Sequence, residues 1–481
     1  MSYAEYYLWN TYTAWFFLLI YAVTILSCIF VILSENRNPI RSLAWVIALI
    51  FLPGIGLIFY LFFGRSLKGM HLISRRNKRK LFHNRTNKRV DINELELTKD
   101  EKQIIKLTHN VSRYPFTKHN EIKIYTDGPS KFENLKRDLR EAKESILLQY
   151  YIFQDDTLGK EIAEILIEKA REGLAVKVIY DHVGSFSSKK KFFRRMQENG
   201  VDIHPFFRVT FPQLANRINW RNHRKIVVID REIGYIGGMN IASRYIDGME
   251  DGSLWRDTHF RVRGEIVESL LYSFVIDWNF LTKKPTLDKI KANETRIEDG
   301  KGMQLITSGP TESWDNLSLI FLKAISGASK CIYIQTPYFL PTEALLQALQ
   351  AASLAKIDVR IMIPSKSDSK MLQYASYSYV TQCLKAGIKV YLYKPGMLHA
   401  KVMIIDDSFV TAGSVNFDFR SFENNFEGNI LIYDQEINRR MKDIFFEDLA
   451  KCKKLTVSEW RKRPVYYKVL ESLVKLMSPI L

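Results

Sequence analysis

The stretch His223-Arg-Lys225-Ile-Val-Val-Ile-Asp230 is followed, after six residues, by Gly237-Gly-Met-Asn240. The same text returns as His399-Ala-Lys401-Val-Met-Ile-Ile-Asp406, with six residues again before Gly413-Ser-Val-Asn416. On residue frequencies an H-x-K-x4-D pattern is expected by chance about 0.04 times in a chain of this length. A single copy reads as a surface strand with core-facing aliphatics. Two copies with a shared trailer mark a duplicated unit that carries chemistry.

The duplication extends upstream. Ile146-Leu-Leu-Gln-Tyr-Tyr-Ile-Phe153 is echoed by Ile332-Tyr-Ile-Gln-Thr-Pro-Tyr-Phe339, each followed by a helix-like stretch, Leu158 to Glu172 and Thr342 to Leu354. The strand-like runs Ala175 to Tyr180 and Gly200 to Ile203 return as Asp358 to Ile363 and Gly387 to Val390. Strands alternating with helices predict an α/β fold, and the long offset predicts two α/β/α halves rather than a solenoid.

On a strand, His and Lys two positions apart share a face, so each half offers an imidazole beside an ammonium. Asp230 and Asp406 have the opposite parity and are expected to orient turns, while Ile226, Val228, Val402 and Ile404 face the core. The glycines allow a tight turn close to a ligand, and Asn240 and Asn416 add amide donors for a substrate phosphate. Two halves together bring two His, two Lys and two Asn to one phosphate pocket. One neutral imidazole can attack phosphorus while the other, protonated, donates to the leaving oxygen. This layout requires no metal and no cofactor.

These paired motifs resemble the phospholipase D superfamily, and with the apolar N-terminal runs the whole chain is similar to its bacterial cardiolipin synthases. The resemblance implies two halves meeting at a pseudo-twofold site, with His223, Lys225, Asp230, His399, Lys401 and Asp406 as the catalytic set. It implies a phosphohistidine intermediate and phosphatidyl transfer between two phosphatidylglycerol molecules with loss of glycerol. Trp255-Arg-Asp257-Thr-His259 and Arg420-Ser-Phe-Glu-Asn-Asn-Phe-Glu427 look like the family's trailing segments. There an acid holds the catalytic imidazole, which makes Asp257 and Glu427 candidates. Spacing leaves open which histidine attacks; the resemblance favours His223 as nucleophile and His399 as acid/base. A phospholipase D-type hydrolase is the alternative reading.

Composition bounds the partners. Lys plus Arg exceed Asp plus Glu by 70 to 52, a net charge of +18 that calls for anionic partners. Ten of those charges fall between Arg65 and Arg89, beside the apolar runs, which argues for an anionic membrane surface and against nucleic acid. The four cysteines, Cys28, Cys331, Cys383 and Cys452, have neither disulfide nor zinc spacing. Ala14 to Leu33 and Leu43 to Phe63 are free of charge, the second interrupted by Leu52-Pro-Gly-Ile-Gly56. At about twenty residues each they predict a pair of transmembrane helices, 14–33 and 43–63, with a re-entrant or tilted hairpin that does not fully span as the competing geometry at the Pro-Gly break. By the positive-inside bias the expectation is a multi-pass protein of the cytoplasmic membrane with its catalytic halves on the cytoplasmic side. The predicted plan is a membrane segment 1–64, a basic linker 65–118, and phospholipase D-like domains 119–298 and 299–481; oligomeric state is not readable. Phe206, Phe207, Phe211, Trp220 and Arg221 before the first motif suit either a lipid-facing lip or a packed loop. Val465, Val469, Leu473 and Met477 recur at helical spacing, for core packing or for membrane contact.

Overall fold

The structure is a computed structural model that describes residues 3–34, 39–52, 54–60, 64, 91–92, 95–209, 219–249, 251–282, 297–407 and 409–476. Two compact units appear: 1–66 with 209–219, and 67–208 with 220–481. The basic linker between Arg65 and Arg89 lies outside the described residues.

In the larger unit, β1 (Asn120–Tyr125), β2 (Ser145–Tyr150), β3 (Ala175–Asp181), β4 (Asp202–Phe206), β5 (Ile226–Ile229), β6 (Ile233–Gly237) and β7 (His259–Gly264) form one sheet in the order β1-β7-β6-β5-β2-β3-β4. A second sheet contains β8 (Met303–Ser308), β9 (Cys331–Gln335), β10 (Asp358–Pro364), β11 (Lys389–Tyr393), β12 (Val402–Ile405), β13 (Phe409–Gly413) and β14 (Glu427–Tyr433). Its order is β8-β14-β13-β12-β9-β10-β11, with Phe116–Thr117 added beside β8 and Cys452–Lys454 beside β11. The two orders are the same order, so the halves are related by pseudo-twofold symmetry. Registers match as well: Ile146 faces Ile229 across β2 and β5, and Ile332 faces Ile405 across β9 and β12.

The parallel crossovers run through helices Thr157–Arg171 and Glu343–Leu354. Asp156 caps the first by accepting from Gly159 N at 3.0 Å, an N-terminal donor the helix itself leaves unpaired. Strand alternation then sorts the apolar side chains. Ile226, Val228, Val402 and Ile404 enter a core shared by both halves, built around helices Ile266–Thr282 and Gln435–Leu449, while Val227, Ile229, Met403 and Ile405 face each half's outer helices. At about 1.5–3 kcal/mol per fully buried large aliphatic side chain, this shared core holds the two halves together.

The smaller unit corrects the expected pair of transmembrane helices. α1 (Tyr3–Ser34) is continuous, and its Thr11–Leu33 portion is the one described helix long and apolar enough to cross a membrane. The second apolar run is broken. α2 (Pro39–Phe51) stops after 13 residues and α3 (Ile55–Phe59) has five, with Gly54 at φ 76° between them. Thirteen residues rise about 20 Å, short of the roughly 30 Å hydrocarbon core. Proline lacks the N–H that would continue the ladder, and glycine takes the left-handed turn. The expected multi-pass arrangement fails with the second span, and so does the orientation deduced from two crossings. What the described chain offers a membrane is one N-terminal apolar helix.

Packing bears on two further expectations. Phe206, Phe207 and Trp220 are buried in the shared core, where the rings of Phe206 and Phe426 lie 5.3 Å apart, so they form no lipid-facing lip; Phe211 lies outside the described residues. In helix Val465–Leu476, Glu471 and Val474 face the protein while Val465, Val469 and Leu473 are exposed, because the Glu471 ion pair with Arg463 anchors the opposite face; Met477 lies outside the described residues.

Candidate active site

Two short parallel bridges cross between the halves. Gly396–Leu398 runs beside Leu254–Arg256, and Asn222 beside Phe426. His399 N donates to Arg256 O at 2.7 Å, and His223 N donates to Phe426 O at 2.9 Å. The residues that follow Arg256 and Phe426 are Asp257 and Glu427. The bridges therefore present each histidine with a carboxylate from the opposite half.

His399 Nδ1 lies 2.6 Å from Asp257 Oδ2, and His223 Nδ1 lies 3.0 and 3.1 Å from the two oxygens of Glu427. Both carboxylates are fully buried, and the histidines are 7% and 8% exposed. A carboxylate on Nδ1 fixes the tautomer with Nδ1 protonated and leaves Nε2 for chemistry. Supports differ between the halves. Ser414 and Asn425 both donate to Glu427. At the position equivalent to Ser414 stands Gly238, where a Cβ would fall 2.1 Å from Asp257 Oδ1, so only glycine leaves room for the acid.

Burial dominates the electrostatics. It pushes both histidines down to about 4; Glu427 opposes this at His223, while at His399 the Lys401 ammonium adds to it and Asp257 opposes. Burial alone would raise Asp257 and Glu427, but Lys401 and His399 in one case, and His223 and Lys225 in the other, hold them below the usual range. Lys225 and Lys401 are themselves pushed down by burial. Because the folded histidines titrate lower than free histidine, the unfolded chain binds more protons between about pH 6.5 and 4. Stability is therefore expected to fall as pH drops through that window. Urea unfolding at pH 7 and pH 5 checks this; in the His223→Asn, His399→Asn double variant the pH slope should shrink, and an unaltered slope would assign it elsewhere.

Lys225 Nζ donates to its own half's His223 O at 2.6 Å, and Lys401 Nζ makes the equivalent bond to His399 O. Asn240 accepts from Ile152 N at 3.2 Å and donates to the Tyr245 hydroxyl at 3.0 Å, whereas Asn416 Oδ1 has no partner among the described residues. Tyr151 sets its ring edge-on to His223 at 4.8 Å, and Trp255 lies 5.5 Å from His399.

Asp230 and Asp406 sit at the far ends of β5 and β12, both at φ 49°. Asp230 accepts from the backbone N–H groups of Lys143, Glu144 and Ser145, and Asp406 from those of Ser329, Lys330 and Cys331. Replacing Asp230 by Ala is expected to cost about 1–3 kcal/mol of stability by orphaning these donors, with turnover per folded molecule nearly kept. Thermal unfolding and an active-site-normalised assay separate the two effects.

Sequence reading missed a buried layer under the histidines. Arg224, between His223 and Lys225 in the first motif, donates to Glu427 O at 3.0 Å and to Asp277 at 2.8 Å; Asp277 also accepts from Gln149 and Asn222. Arg256 donates to Asp257 O at 2.8 Å and to Asp448 at 2.9 Å, and Gln335 also donates to Asp448. Each arginine thus holds the main chain of one acid. The Gln149 and Gln335 repeat was the one available signal. Asp277→Ala should destabilise the fold by about 3–5 kcal/mol, since it leaves Arg224 charged and unpaired in the interior; a loss below about 1 kcal/mol on denaturant unfolding would contradict that burial.

Comparison with known proteins gives a consistent picture. The family described as cardiolipin synthase, PLD-like domain, matches residues 135–269 and 321–449, and phospholipase D-nuclease N-terminal matches 14–65. The chain is 39% identical over 474 residues to the major cardiolipin synthase ClsA of Bacillus subtilis, covering 96% of this chain and 98% of that one. It is 37% identical over 463 residues to a cardiolipin synthase of Listeria monocytogenes, covering 93% and 95%. Among solved structures, phosphatidylserine synthase of Haemophilus influenzae superposes with a TM-score of 0.60 at 16% identity, over 79% of this chain and all of that one, which speaks to the fold alone.

Proposed function

This chain belongs to the cardiolipin synthases built from phospholipase D-like domains, and on that footing we propose how its residues transfer a phosphatidyl group from one phosphatidylglycerol to another, giving cardiolipin and glycerol. The observation that carries the reading is the cross-half pair of histidine–carboxylate dyads.

The charges suit one phosphodiester. Lys225 and Lys401 balance Asp257 and Glu427, so with neutral histidines the buried set is neutral. A bound phosphodiester adds one negative charge and raises the proton affinity of the imidazoles facing it. One proton restores balance, which makes one histidine an acid and leaves the other a nucleophile.

In the first step Nε2 of the neutral histidine attacks phosphorus. The bond from phosphorus to the glycerol oxygen breaks, and that oxygen takes the proton from Nε2 of the second histidine. The lysine ammoniums, the remaining N–H of Asn240 and the Asn416 amide stabilise charge on the non-bridging oxygens. In the second step a hydroxyl of the second phosphatidylglycerol returns a proton to the neutral Nε2, attacks phosphorus, and the phosphorus–nitrogen bond breaks. Asp230 and Asp406 contribute by fixing the strands behind the motifs.

Purified protein in phosphatidylglycerol vesicles is expected to release glycerol and form cardiolipin in equal amounts. Phosphatidic acid as the main product would contradict transfer and favour hydrolysis.

A further inference from the structure

A helix at a protein surface ordinarily turns its apolar side to the core and its charges to water. Helix Val465–Leu476 largely reverses this. We propose that it lies in the surface of an anionic bilayer with its apolar stripe among the lipids, docking the second half on the membrane that supplies phosphatidylglycerol. This rests on the transferase reading above only for the identity of the lipid.

At about 100° per residue, Val465, Tyr466, Val469, Leu470, Leu473 and Leu476 fall within one arc of about 140°. All six are exposed, from 36% at Leu470 to 80% at Leu476, while Glu471 and Val474 are buried on the opposite side. A lone exposed leucine needs no explanation. Six apolar residues on one helix face make a contiguous patch, which a soluble surface rarely leaves to water.

Charge selects the partner. Glu471, the one acid between Arg461 and Leu476, is 4% exposed and is held inward by its ion pair with Arg463. Arg461, Lys462 and Lys468 remain exposed. The outer side therefore carries cations beside the apolar stripe and no anion, the combination that binds an anionic lipid surface. A second copy of the chain would bring the same cations against these and is the poorer fit.

Its place in the fold agrees. Gln335, the last residue of β9, faces Val402, so His399 and Lys401 sit just beyond the end of β9. β10 runs parallel to β9 and ends on the same edge, at Pro364, and the chain then enters helix Lys370–Lys385. Helix Val465–Leu476 packs on that helix: the rings of Tyr467 and Tyr374 lie 6.2 Å apart, and Lys475 Nζ lies 4.5 Å from the centre of the Tyr379 ring. Met371, one turn before Tyr374, is exposed as well. Both helices thus start toward the sheet edge where the second motif begins.

The test uses the full chain reconstituted in vesicles. An environment-sensitive fluorophore on Leu473→Cys is expected to shift to the blue in vesicles containing phosphatidylglycerol, more than in phosphatidylcholine alone, and to be quenched by lipids spin-labelled near the headgroup. Protein without the added cysteine sets the background. Water-like emission in both vesicles, or equal shifts in both, would overturn the proposal; shielding without quenching would assign the stripe to a second copy of the chain and overturn it too. A second measurement reads the consequence. Val469→Ser combined with Leu473→Ser is expected to lower the ratio of cardiolipin formed on vesicles to that formed from dispersed short-chain phosphatidylglycerol about tenfold, at unchanged thermal stability. An unchanged ratio, whether both rates fall together or neither does, would contradict docking. The fluorophore reports lipid contact whether or not cardiolipin is made, so failure of the transferase reading shows separately, as wild-type protein that makes none.

Discussion

Replacing His399 by Asn is expected to lower cardiolipin formation about ten-thousandfold while leaving the fold intact. Asparagine keeps a polar group of similar reach but supplies neither a nucleophilic nor a titratable nitrogen, so each step loses its proton carrier or its covalent partner. His223→Asn should cost about as much, and the double variant little more, because residues that act as one unit are not additive. Initial rates with phosphatidylglycerol vesicles, alongside thermal unfolding of each variant, check this. A rate within tenfold of wild type in either single variant would remove that histidine from the chemistry.

The second large effect falls on the acids. Glu427→Gln and Asp257→Asn keep size and hydrogen bonding yet remove the charge that fixes the imidazole tautomer and supports imidazolium, so each should lower turnover by about a hundred to ten thousandfold. The direction of the histidine shift is also fixed. Glu427 opposes the effect of burial on His223, so Glu427→Gln should push that histidine still lower, and Asp257→Asn should do the same at His399. Histidine NMR titration reads this directly; an upward movement would contradict the cross-half pairing. The affected partner lies more than a hundred residues away in sequence, so the same titration distinguishes cross-half from same-half contacts.

Much of this architecture was legible because duplication turns a weak motif into a strong one. The two H-x-K-x4-D copies fixed the halves, and alternation placed Ile226, Val228, Val402 and Ile404 in the shared core. Parity set Asp230 and Asp406 apart from His223 and His399. Which acid serves which histidine was not legible, since the pairing depends on the bridges at Asn222 with Phe426 and Leu398 with Arg256, contacts with no local sequence signal. Arg224 and Arg256 were invisible for a related reason: charges in strand-like text read as solvent-facing, and only the facing helices supply Asp277 and Asp448. At the N-terminus a hydropathy run counts apolar residues but not helix continuity, so the break after Phe51 turned an expected second span into two short helices. For Phe206 and Phe207 composition left a surface lip and a packed loop equally open, since aromatic residues beside arginines suit both, and they continue β4 into the core.

In this mechanism one histidine becomes covalently bound to phosphorus before the second lipid attacks. Rapid acid-free quenching of the protein with phosphatidylglycerol labelled in its phosphate tests it most directly. The prediction is protein-bound label on a single histidine, His223 or His399, lost when that residue is replaced, and discharged by unlabelled phosphatidylglycerol as labelled cardiolipin. Cardiolipin formation with no protein-bound label at any time, in wild type and in both single variants, would rule out the covalent histidine intermediate.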